Sequence, residues 1–137
     1  MRLKARMPHP HQVLYSSVLI VENDEFSASL VEYLLHREGY QVATAYSDRH
    51  IRRLFDIMLP PDLIFIHSKL IYTDTHDLIA KMRDHERWKH LPIILIGDEK
   101  DSTVDEILET GADDFILKPY FPNELIRQVK THAKRTH

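Results

Sequence analysis

Residues 61–70 read PDLIFIHSKL, a proline and a turn signal followed by an unbroken apolar run, Leu63 to Ile66, that ends on a histidine. A strand with no polar position is buried on both faces, and such strands belong to parallel sheets covered by helices on either side. Two further runs have the same character, SVLIV at 17–21 and PIILIG at 92–97. Helical spacing fills the gaps between them. In ENDEFSASLVEYLLHREGY, residues 22–40, the apolar side chains Phe26, Leu30, Val31, Leu34 and Leu35 share one helical face, with Asp24 as the expected cap and Gly39 as the expected stop. QVATAY is a second strand, Ile51, Leu54 and Phe55 mark a second helix, and Leu78, Ile79 and Met82 a third. Val104, Ile107 and Leu108 predict a fourth helix, DFILK at 114–118 a fifth strand, and Leu125, Ile126 and Val129 a fifth helix.

Five strands alternating with five helices specify an α/β fold with a doubly wound, five-stranded parallel sheet. The length of 137 residues suits one domain with a substantial core. The only boundary suggested is near residue 15. Residues 1–15 mix basic residues, prolines and histidines without a period and read as a flexible arm, so the folded domain is expected over 16–137.

Composition removes several functions. With 18 basic and 21 acidic residues the formal charge is -3, which gives no general attraction to nucleic acid or to an anionic membrane. The absence of cysteine excludes a disulfide framework, a thiolate nucleophile and a cysteine-based zinc site. No apolar run is long enough to cross a bilayer and residues 1–12 lack a signal-peptide core, so a cytoplasmic location is expected.

In an open α/β sheet, ligands lie beyond the carboxyl ends of the strands, where the winding reverses. The strand ends here are Glu22, Asn23 and Asp24; His67; Gly97 and Asp98; and Lys118. They form one constellation rather than separate signals.

VLIVENDE, GYQVATA, PDLIFIH, LPIILIG and above all GADDFILKPYFPNEL, residues 111–125, make the chain from about Val18 to Lys134 resemble the response-regulator receiver domain of two-component signalling. The resemblance implies a flavodoxin-like fold. It also implies a site lysine at Lys118, a cis-proline at Pro119 and a switch aromatic at Phe115. At the phosphoacceptor position it places His67 where the family has aspartate. In the acidic pocket Glu22, Asn23 and Asp24 stand where an acid pair normally holds Mg²⁺, and the amide Asn23 replaces the directly ligating member. Gly97 replaces the hydroxyl residue that reports phosphorylation. Metal binding is therefore expected to be weak or absent, with no resident cofactor, no metal site and no catalytic residue.

The expectation is a pseudo-receiver: not an enzyme, but an interaction domain working through protein contacts. The partner surface implied by the family is the fourth helix, fifth strand and fifth helix, including Arg127 and Lys130, with self-association into a homodimer as a further use. With no output domain after Lys134, any output is expected from a partner. Two alternatives stand beside this reading: an unconventional receiver still switched by phosphate or metal, and a small-ligand sensor using the same crevice. His67 is expected to be an internal cation that replaces the missing metal beside Glu22 and Asp98, while Asp74 and Asp77 are read as solvated acids at a helix start.

Overall fold

The computed structural model describes residues 16–70, 74–98, 106 and 109–133. In chain order the elements are β1 (Ser17–Val21), α1 (Glu25–Arg37), β2 (Gln41–Ala45), α2 (Asp48–Ile57), β3 (Leu63–His67), α3 (Thr75–Asp84), β4 (Ile93–Asp98), β5 (Asp114–Lys118) and α4 (Pro122–His132). The strands form one parallel sheet in the order β2-β1-β3-β4-β5. This is the doubly wound architecture expected from the unbroken apolar strands. Of the helix expected around 104–108, only Glu106 and the end at Glu109 are described, both helical; its apolar residues and the arm 1–15 lie outside the described residues. Among the described residues no helix is long and apolar enough to cross a membrane.

The two-residue period of the strands divides the core into two layers. Leu19, Val21, Ile64, Ile66, Ile93 and Leu95 point to one side, where α2 and α3 supply Ile51, Phe55, Leu78, Ile79 and Met82. Val18, Ile20, Leu63, Phe65, Ile94 and Ile96 point to the other, against Val31, Leu34 and Leu35 of α1 and Leu125, Ile126 and Val129 of α4. Each central strand thus needs apolar residues at every position.

Helix α1 begins and ends where its sequence signals say. The Asp24 carboxylate accepts from the Ser27 backbone N–H at 3.0 Å, and Gly39 turns the chain with φ at +92° while the Tyr40 N–H closes onto the Leu35 carbonyl. Its apolar face is narrower than expected. Ala28, Val31, Leu34 and Leu35 are buried, whereas Phe26 is 83% exposed and Leu30 50%. At 100° per residue, Phe26 and Leu30 fall one helical row away from Val31 and Leu35, and the sheet covers only the latter row.

A second organising device joins α3 to the start of β5. Arg83 donates to the carbonyls of Lys89, Leu91 and Gly111 and to the Asp113 carboxylate at 2.9 Å, and the same Asp113 oxygen accepts from the Ile93 N–H. Gly111, at φ +98°, makes the turn that delivers Asp113 to this clamp.

Candidate functional site

Parallel pairing brings the expected constellation together. The register sets Val21 beside Ile66, His67 beside Ile96 and Asp98 beside Lys118, so Glu22, His67, Asp98 and Lys118 leave the sheet at the same edge.

The side chains then divide. Glu22 is buried, with 7% of its surface exposed, and its Oε2 accepts from the Asp24 backbone N–H at 3.1 Å. Asn23 turns toward β2, where its Nδ2 donates to the Tyr46 carbonyl at 2.7 Å. Asp24 is committed to the cap of α1: its carboxylate accepts from the Ser27 backbone and from the Ser27 hydroxyl, and these bonds, with a smaller contribution from the Lys118 charge, hold its pKa below the usual aspartate value. Only Glu22 of the three therefore remains turned to the crevice with its charge.

His67 lies at the mouth of the sheet with its ring held at both nitrogens. Its Nε2 is 3.1 Å from Lys118 Nζ, and its Nδ1 is 2.9 Å from the Lys69 carbonyl oxygen. Lys69 meets Nδ1 with its backbone N–H as well, at 3.2 Å, and the ring's tautomer decides which of the two Lys69 contacts is the hydrogen bond. The side chain that meets the ring is thus Lys118 rather than the expected Glu22 or Asp98.

The remaining positions have simpler surroundings. Gly97 is buried within β4, opposite Leu117. Phe115 is partly buried and packs against the α2–α3 layer of the core. The Lys118–Pro119 bond is cis. Asp74 caps α3, accepting from the His76 and Asp77 N–H groups, so it is a helix-start acid.

Next to these residues lies a cavity of about 460 Å³ that the sequence did not announce. Glu22, Ser27, Asp98 and Lys118 supply its polar lining, and Leu30, Val31, Ile96, Pro119 and Tyr120 the rest of its walls. Tyr120 is the missed residue of most weight. Burial, and then the charge of Glu22, push its phenol above the usual tyrosine pKa. The one available signal was its place directly after the Lys118-Pro119 pair, whose cis bond turns the chain at the cavity wall.

The sequence pattern described as the response regulator receiver domain matches residues 18–130. The chain belongs to this receiver family. It is 30% identical over 132 residues to the transcriptional regulatory protein GltR of Pseudomonas aeruginosa, covering 87% of this chain and 49% of that protein. The receiver thus spans about half the length of that curated relative. Among solved structures, the signal receiver domain of a signal transduction histidine kinase from Syntrophus aciditrophicus superposes with a TM-score of 0.77 at 30% identity, covering 89% of this chain and 95% of that one. The receiver domain of a sensor histidine kinase from Pseudomonas aeruginosa PAO1, solved with magnesium coordinated in its active-site cleft, superposes with a TM-score of 0.78 at 22% identity, covering 89% and 100%.

The donor set of the present receiver does not fit such an ion. Hard divalent cations take several oxygen ligands with carboxylate charge. Here the cleft side of the first strand offers one turned-in carboxylate, Glu22, while the Asn23 amide is anchored to Tyr46 and Asp24 to its cap. Among the described residues no three His, Cys, Asp or Glu side chains are grouped so as to hold a metal.

Proposed function

We propose that this receiver is a pseudo-receiver: a cytoplasmic, non-enzymatic signalling module that acts through protein contacts without aspartyl phosphorylation. The observation that carries the reading is the 3.1 Å contact between Lys118 Nζ and His67 Nε2. In this proposal His67 stands at the phosphoacceptor position, and an imidazole offers no carboxylate for an acyl phosphate. Lys118, the cation that would meet an incoming phosphoryl group, is already donating to that imidazole. Gly97 brings no hydroxyl to report a modification, so Phe115 remains part of the packed layer rather than a rotating switch. Partner contact is assigned to β5, α4 and the segment before β5. Its support on α4 is a shallow groove lined by Asn123, Ile126, Arg127, Lys130 and Thr131, whose basic side chains suit an acidic partner face or a second copy presenting one.

The test is incubation with acetyl phosphate and Mg²⁺ followed by intact-mass measurement. The expected result is an unmodified mass. A stable phosphoryl adduct on any residue of the crevice overturns the proposal and favours a receiver that is still switched by phosphate.

A further inference from the structure

The cavity beside the crevice holds two charges of opposite sign that the protein does not pair. Glu22 is more than nine-tenths buried, yet its hydrogen-bond partner is a neutral backbone N–H, and no ion pair among the described residues includes it. Lys118 Nζ lies 3.1 Å from Nε2 of His67, an imidazole nitrogen and not a carboxylate counter-ion, and it too enters no ion pair among the described residues. Buried charges are ordinarily paired, because desolvating them alone is costly. Both groups line the same cavity, together with Ser27 and Asp98, and the rest of its lining is Leu30, Val31, Ile96, Pro119 and Tyr120.

We propose that this cavity binds a small zwitterion with an apolar body, an α-amino acid with an aromatic or large aliphatic side chain. Its ammonium group meets the Glu22 carboxylate, its carboxylate meets the Lys118 ammonium, and its side chain lies against Leu30, Val31 and Tyr120. The volume of about 460 Å³ is within the range of small-molecule clefts and larger than an aromatic amino acid needs, which leaves room for the side chain to be oriented by the apolar wall. A phosphate or a divalent cation satisfies only one of the two poles and leaves the apolar wall uncovered. A simple amine or a simple carboxylic acid likewise leaves one charge unmatched. Occupancy would cover the exposed face of Leu30 on α1.

The experiment is calorimetric titration of the full chain with three isosteric probes: L-phenylalanine, 2-phenylethylamine, which lacks the carboxylate, and 3-phenylpropanoate, which lacks the ammonium. Phenylalanine should bind at least about ten-fold more tightly than either half-probe, equivalent to about 1.4 kcal/mol. Lys118→Met should erase the preference for phenylalanine over the amine while keeping the preference over the acid. Glu22→Gln should do the reverse. This crossed pattern is one that loss of folding cannot produce, and the three-probe ranking on the unaltered chain tests the idea even if a variant fails to fold. Equal affinities for the three probes, or no phenylalanine binding at about 10 mM, overturn it. Because the mass measurement with acetyl phosphate reads a different property, either proposal can fail while the other stands.

Discussion

Arg83 joins parts of the chain that have little else in common. Its guanidinium collects the carbonyls of Lys89, Leu91 and Gly111 and the carboxylate of Asp113, partners 6 to 30 positions away along the chain. A planar fork with several fixed donors can satisfy such a set, and a lysine cannot. Arg83→Met should lower the stability to urea by about 2–3 kcal/mol, since several acceptors lose their donor together, and Arg83→Lys should recover less than half of the loss. Equal midpoints for the arginine and lysine forms would show that charge alone matters there. No local pattern pointed to this clamp, because a basic residue on a helix surface looks the same whether it is solvated or bonded. His67 was a similar case. The period of its strand placed it at the sheet edge, but its hydrogen-bonding role depends on Lys118, 51 residues later, whose ammonium reaches Nε2. The strand period places the imidazole, and only the three-dimensional contact shows that Lys118 is its partner.

The turns that end α1 and open β5 both rest on a glycine with positive φ, and they differ in what surrounds them. At Gly39 an added Cβ would meet nothing within 4 Å, so Gly39→Ala carries the backbone penalty alone, about 1–2 kcal/mol. At Gly111 the added carbon would lie 3.3 Å from Ile79 Cγ2, pressing on a fully buried residue of α3, so Gly111→Ala should cost more than Gly39→Ala in the same thermal unfolding series. An equal or smaller loss at Gly111 would mean that the α3 side yields without strain. Strands, caps and stops were all readable because each rests on a local rule: alternation for the sheet, a carboxylate at Asp24, a left-handed turn at Gly39. The width of the apolar stripe on α1 was not. Phe26, Leu30 and Tyr33 satisfy a helical spacing as well as Val31 and Leu35 do, and which row is covered depends on where the sheet lies. Phe26 and Tyr33 remain 83% and 60% exposed, and the same outward row brings Leu30 to the cavity.

Two groups at the crevice end of the molecule set opposite limits on its pH range. Asp24 has a lowered pKa from its bonds to Ser27, so its contribution to stability is complete above the unfolded value of 3.8 and is lost as pH falls through the lower folded value. Tyr120 has a raised pKa from burial and from Glu22, so its contribution is complete below 10.0 and is lost as pH rises through the higher folded value. Asp24→Asn keeps a side-chain cap but removes the titration. Its melting temperature should approach that of the parent chain as pH drops below 3.8, whereas Tyr120→Phe should lose less stability than the parent above pH 10.0. Parallel curves for parent and variant across the acid range would show that the Asp24 bonds do not report on folding.

The hydroxyl of Ser16, just before β1, reaches the carbonyl of Ala133, just after α4, at 3.5 Å. Entrance and exit of the fold are therefore neighbours, and both lie at the pole of the sheet remote from His67 and Lys118. A parallel strand of five residues advances roughly 16 Å, so a neighbouring module tethered at either point would sit a strand's length away from the crevice. Such a module could be spliced in without stretching the chain, as a bead is threaded through one hole, but an event in the crevice would reach it only through the packed layers or around the outside of the helices.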